Sequence, residues 1–232
     1  LRIKKLNDSI RLYASEFLGT FFLVFVATGV VIVNDLSGGT VTHTGIAITT
    51  GLVVMAVVYA IGDVSGAHIN PAVTVGFWLA KRFPGYRVIQ YMKSQCLGAV
   101  AASLLLAYLF PELVPLTVTS PSGPLVQSLI IEIIITLFLM FVILSVSTGS
   151  KEKGIMAGSA IGAVVGLSVL WAGPVTGASM NPARSIAPAL VSLDFTSLWI
   201  YIAGPVIGAA VSVIAFRIIH KPLSSGHEGR GF

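Results

Sequence analysis

The stretch Ser65-Gly66-Ala67-His68-Ile69-Asn70-Pro71-Ala72-Val73-Thr74 recurs 111 residues later as Thr176-Gly177-Ala178-Ser179-Met180-Asn181-Pro182-Ala183-Arg184-Ser185. Both copies follow one pattern: a hydroxyl residue, Gly-Ala, two variable residues, Asn-Pro-Ala, one variable residue and a second hydroxyl residue. One copy would carry little information. Two copies in matching places of the two halves indicate an internal duplication. Membrane transporters and channels use such repeats to bring two broken helices together at the bilayer midplane. Each Asn-Pro-Ala reads as the start of a helix. Proline at the first helical position loses nothing by lacking an N–H, and the asparagine before it caps the helix through its side-chain oxygen.

Composition decides the solvent. Hydrophobic residues make up 55% of the chain and charged residues 10%, with a mean hydropathy of +0.93, whereas soluble domains carry roughly 25% charged residues. A bilayer span needs ~20 apolar residues, and six stretches qualify: 12–33, 44–61, 88–110, 125–147, 154–171 and 198–219. Two shorter apolar pieces, 71–80 and 182–193, are half-spans. In lipid an isolated half-span leaves backbone groups unpaired, so such pieces belong inside protein or along a water-filled cavity. The expectation is an all-α membrane protein with six transmembrane helices and two re-entrant half-helices, in one domain over residues 1–232. The chain opens on Leu1, which predicts that native residues precede it. The first span contains Glu16 and no cleavage-site pattern, so it reads as a helix and not as a signal peptide.

The basic residues give an orientation. Arg2, Lys4, Lys5 and Arg11 precede or open the first span, and Lys81, Arg82, Arg87 and Lys93 lie between the first half-helix and the third span or at that span's start. Lys151 and Lys153 join spans four and five, and Arg217, Lys221 and Arg230 end the chain. Thirteen of the fourteen Lys and Arg therefore fall on one side, which predicts cytoplasmic termini. The net charge of +5 is a topology signal and not a nucleic-acid footprint. The exception is Arg184, inside the second motif. The single Cys96 has no disulfide partner in the chain and reads as a small packed residue in span three.

The halves agree beyond the motif. Glu16, Thr20, Leu23 and Phe25 in span one match Glu132, Thr136, Leu139 and Phe141 in span four, and Gly98-Ala99 matches Gly208-Ala209. Each Glu precedes its motif Asn by 54 and 49 residues, and each Asn precedes its Gly-Ala pair by 28 and 27. Three spans per half is an odd number, so the repeats, at about 10–110 and 125–220, run in opposite senses and their loops meet mid-membrane. A carboxylate in an apolar span costs ~2.5–3.5 kcal/mol. Glu16 and Glu132 read either as a proton relay or as acceptors for the N–H groups of their own loops, and one Glu per loop favours the second. Gly154, Gly158, Gly162 and Gly166 form a four-residue stripe, continued in span six by Gly204 and Gly208. Such stripes let helices approach closely, within one chain or across a dimer face.

Two half-helices meeting N-terminus to N-terminus converge their positive dipole ends. A neutral solute there meets two amide donors, Asn70 and Asn181, while a cation or hydronium meets a positive barrier. These duplicated motifs and flanks resemble the aquaporin (major intrinsic protein) superfamily over roughly residues 10–220. The stretch from Ala172 to Ser185 is most similar to its nodulin-26-like branch of glycerol and metalloid-acid channels. The resemblance implies pore motifs at Asn70, Pro71, Ala72 and Asn181, Pro182, Ala183, and loop-binding roles for Glu16 and Glu132. It implies a narrow constriction of Thr50, Val169, Ala178 and Arg184, where a slip of one residue in span two would substitute Thr49. It also implies a homotetramer in which each monomer keeps its own pore. Water-selective members place a bulky aromatic in span two and a histidine in span five, and this chain departs from both. The expected function is a passive channel for glycerol, for metalloid acids such as boric, silicic or arsenous acid, and for water, in a plasma membrane. A water-selective pore, a proton-coupled transporter and a membrane junction protein are the alternatives. His43 and His68 sit near possible pore mouths, as a pH gate or as loop packing. No Ser-His-Asp set, zinc-protease motif or phosphate loop appears, so neither enzyme chemistry nor a metal or cofactor is expected.

Overall fold

The computed structural model describes residues 2–113, 118–147 and 155–220. Eight α-helices form among the described residues: α1 (Arg2–Leu36), α2 (Thr42–Ser65), α3 (Pro71–Leu79), α4 (Gly85–Leu109), α5 (Leu125–Val146), α6 (Ala157–Thr176), α7 (Pro182–Ser192) and α8 (Leu198–Ile219). Six of them, all but α3 and α7, are long and apolar enough to cross a membrane. Lys151, Lys153, Gly154, Lys221 and Arg230 of the sequence reading lie outside the described residues.

The helix ends follow local chemistry. Helix α2 stops at Gly66 (φ 86°) and α6 at Gly177 (φ 79°), each in the left-handed conformation that glycine adopts without a Cβ penalty. Each motif therefore starts where a span ends. Asn70 and Asn181 cap α3 and α7 through Oδ1, accepting from the N–H of Ala72 (2.8 Å) and Ala183 (3.0 Å). The half-helices match the expected pieces, and Leu193 (φ 56°) closes the second. The fifth span, expected over 154–171, ends later than that, because α6 runs on through Pro174 to Thr176. A donor from outside the helix compensates for the missing proline N–H, as described below.

Packing repeats the sequence symmetry. Helix α1 packs on α4 and α2, α5 packs on α8 and α6, and α2 packs on α6. The half-helices cross over, α3 lying mainly against α8 and α7 mainly against α4, so each half is completed by the other. The Gly-Ala pairs sit at two equivalent crossings. A Cβ on Gly98 would collide with the Phe17 carbonyl oxygen, and one on Gly208 with that of Ile133, each the residue after a buried glutamate. Gly158, Gly162 and Gly166 face α2, where added Cβ atoms would meet Tyr59, the Gly51 carbonyl and the Ala47 carbonyl. The glycine stripe is thus used within the chain. Gly98→Ala and Gly208→Ala should each destabilise by about 1–3 kcal/mol, because rigid backbone must move to admit the methyl group. Thermal melts of the detergent-solubilised protein test this, and wild-type melting of both variants would contradict it.

Candidate functional site

The two motif loops are built around the two glutamates. Glu16 Oε1 accepts from the Ser65 hydroxyl (2.7 Å) and the His68 N–H (2.9 Å), and Oε2 accepts from the Ile69 N–H (2.7 Å) and the Gln95 amide (2.7 Å). Glu132 repeats the scheme with the Thr176 hydroxyl (2.8 Å) and the N–H groups of Ser179 (2.9 Å) and Met180 (2.9 Å). Both side chains are fully buried and do not line the channel. Every one of these partners donates, which suits an acceptor-only carboxylate and leaves little for a proton relay. Pulling N–H groups toward a carboxylate forces unusual backbone. Ala67 (φ 45°), Ile69 (φ 43°), Ala178 (φ 43°) and Met180 (φ 54°) are non-glycine residues with positive φ at matching places. Such conformations cost of order 1–3 kcal/mol each and persist only where their surroundings fix them.

Two tyrosines complete the frame and went unread in the sequence. Tyr91 Oη donates to the Ser65 carbonyl (2.9 Å) and Tyr201 Oη to that of Thr176 (2.7 Å), binding carbonyls at the ends of α2 and α6. Each precedes its Gly-Ala pair by seven residues, so the repeat itself held the signal. Gln95 has no such signal. It bridges Glu16 and the Thr74 hydroxyl (3.0 Å), and the corresponding place in the second half is Pro205.

The loops meet reciprocally. Asn70 Nδ2 donates to the Met180 carbonyl (2.8 Å) and Asn181 Nδ2 to the Ile69 carbonyl (2.9 Å). One N–H of each holds the opposite loop, and the second remains for a solute. Both asparagines line a central channel together with Thr50, Ala178 and Arg184. The channel is an hourglass: about 70 Å³ at the centre, opening to about 410 Å³ at the mouth beside Arg184 (the upper mouth) and about 980 Å³ at the other (the lower mouth). Val169 lies in the upper mouth beside Arg184, not in the central stretch.

The polar groups of this narrow region have defined roles. Arg184 Nη1 donates to the carbonyls of Gly177 (3.1 Å) and Ala178 (3.4 Å), which orients the guanidinium at the channel. Asp194, exposed in the α7–α8 connection, accepts from the Thr196 N–H (3.0 Å), which holds its carboxyl below the usual carboxylate range. The Thr50 hydroxyl donates to the Ile46 carbonyl (2.8 Å), so it offers a solute only a lone pair. Leu23, Val54, Leu139, Ile143 and Val165 make up an apolar stretch of wall, which His68 and Ser179 interrupt. His68 is buried, stacked on Phe77 (4.6 Å between ring centroids), with its Nδ1 3.1 Å from the Thr74 hydroxyl. The same hydroxyl lies 3.1 Å from the Asn70 carbonyl oxygen. His68 is bonded and packed, which favours the packing reading over a gate. Cys96 is half-buried beside an apolar cluster of Val24, Phe21 and Phe25 from α1 with alanines of α4 and α7.

Six membrane-length helices around a channel pinched by two head-to-head half-helices define a polytopic membrane pore. The sequence comparisons carry this further. The chain belongs to the major intrinsic protein family, whose profile matches residues 3–216, and within it to the nodulin-26-like branch. It is 50% identical over 211 residues to aquaporin NIP1-4 of Oryza sativa subsp. japonica, covering 90% of this chain and 77% of that one. It is 49% identical to aquaporin NIP1-1 of Zea mays (90% and 76%) and 45% identical to probable aquaporin NIP4-2 of Arabidopsis thaliana (90% and 75%). The fold is similar to the X-ray structure of the aquaglyceroporin from Plasmodium falciparum, with a TM-score of 0.80 and 26% identity, covering 92% of this chain and 98% of that one. The protein is thus an integral multi-pass membrane channel and not an enzyme.

Proposed function

We propose that this chain forms one passive channel domain for glycerol, for metalloid acids such as boric, silicic or arsenous acid, and for water, and that it excludes protons and ions. The observation that carries the reading is the centre of the channel. Two asparagine amides and two positive helix ends face one narrow lumen, and none of the described residues lining it is acidic. Neutral hydroxylated solutes fit such a lumen, while a cation finds no counter-charge. Thr50, Val169, Ala178 and Arg184 act as its constriction. Small Thr, Val and Ala side chains keep it wide, and Arg184 supplies the donor. Likeness to an aquaglyceroporin agrees with polyol passage. A proton-coupled transporter is disfavoured because Glu16 and Glu132 are saturated by donors and lie off the lumen.

The upper mouth is extracellular and the termini cytoplasmic in this reading. Arg82 lines the lower mouth, and Arg217 donates to the Leu79 carbonyl (2.7 Å) at the end of α3, on the same side. The assembly is a homotetramer in a plasma membrane, with one pore per chain, since every pore group described above comes from a single chain. Stopped-flow shrinkage and reswelling of proteoliposomes with water, glycerol, urea and boric acid tests the function. Linear, non-saturating solute entry without a proton gradient is expected. Saturable entry driven by a proton gradient would refute a passive channel.

A further inference from the structure

Helices α2 and α6 form an antiparallel seam with a regular step. From the lower mouth upward, Tyr59 lies over Gly158, Met55 and Gly51 face Gly162, and Ala47 faces Gly166. The α2 residues in this row are spaced by four, and the next one is His43. Here direct backbone contact ends and a hydrogen bond replaces it, with His43 Nε2 2.8 Å from the Leu170 carbonyl oxygen. A carbonyl only accepts, so Nε2 carries the hydrogen. That carbonyl needs an outside donor. In an α-helix its partner is the N–H of residue 174, and residue 174 is proline. Gly173 makes room for the ring, since a Cβ there would lie 2.8 Å from His43 Cε1.

The seam also carries two of the constriction residues, Thr50 on α2 and Val169 on α6, the latter next to Leu170. We propose that His43 is a positioning residue for solute selectivity: by supplying the donor that Pro174 cannot, it ties the upper end of α2 to α6 and fixes the separation of Thr50 and Val169. The proposal rests on the constriction reading given above. At the lower end of the seam Tyr59 Oη and Ser159 Oγ are hydrogen-bonded (2.8 Å), so His43 supplies the corresponding tie at the upper end.

The test is the ratio of solute to water permeability in proteoliposomes, for urea, glycerol and erythritol. His43→Leu removes the donor, and the ratio for the largest solute that passes should rise by about threefold or more, the factor by which one lost hydrogen bond shifts an equilibrium. His43→Gln presents an N–H at similar reach and should restore the wild-type ratio. In a Pro174→Ala background residue 174 regains its N–H, so adding His43→Leu should change the ratio little. An unchanged ratio in His43→Leu, or equal shifts in both backgrounds, overturns the proposal. If His43→Leu fails to assemble, the Pro174→Ala/His43→Leu protein decides: assembly with the Pro174→Ala ratio supports the link, and failure there too overturns it. If wild type passes water alone, the solute reading fails separately. His43 is then judged by whether His43→Leu newly admits urea or glycerol.

Discussion

Glu16→Ala and Glu132→Ala are expected to yield little folded protein, with melting temperatures lowered on the order of 10 °C in what is recovered. The balance of magnitudes decides the sign. Removing a carboxylate from membrane depth recovers ~2.5–3.5 kcal/mol. Against that, Glu16→Ala orphans four donors, two of them backbone N–H groups, at roughly 1–3 kcal/mol each. Glu132→Ala orphans three. The positive-φ residues beside them would then lose the bonds that hold them, so the motif loops should relax before the helices separate. Glu16→Gln should fall between wild type and alanine, because its amide nitrogen would face two donors in place of an acceptor. Fluorescence-detected gel filtration after graded heating measures all three. Wild-type melting of both alanine variants would remove the carboxylates from the architecture and reopen a proton-relay role.

Much of this frame was legible because the repeat is legible. Asn-Pro-Ala fixes where each half-helix starts, and the shared order and similar spacing of Glu, Asn and Gly-Ala in the two halves tie each carboxylate to its own loop. Tyr91 and Tyr201 belong to the same repeat, each seven residues before its Gly-Ala pair. Other features leave no mark on a repeat. Gln95 has a proline as its counterpart, so duplication cannot point to it. The passage of α6 through Pro174 contradicts the local rule that proline ends a helix. The carbonyl that the proline leaves without its helical donor is met by a histidine 131 residues earlier in the chain than Pro174, a partnership that no local pattern encodes. The left-handed backbone at Ala67, Ile69, Ala178 and Met180 is equally unreadable, since none is glycine and the cause lies in a distant carboxylate.

Thr50→Phe combined with Val169→His is expected to cut glycerol flux at least about tenfold, an added barrier of roughly 1.4 kcal/mol, while water flux persists. Thr50 lines the smallest of the three spaces along the channel, about 70 Å³, and phenylalanine there replaces a side chain of three heavy atoms with one of seven. Losing the Thr50 hydroxyl costs the backbone nothing, because the Ile46 carbonyl retains its helical N–H partner. The two sites should not contribute equally. Thr50 lies in the central stretch and Val169 in the upper mouth beside Arg184. Thr50→Phe alone should therefore carry most of the loss in glycerol flux, and Val169→His alone should act mainly by adding a hydrogen-bonding group near the guanidinium. Water needs a smaller opening and can still accept from Asn70 and Asn181, so its passage survives both changes. Parallel stopped-flow measurements on the single and double variants resolve the shares. Glycerol flux at the wild-type level in the double variant would show that the narrowest passage lies elsewhere, and a wild type that conducts water alone would defeat the argument from width.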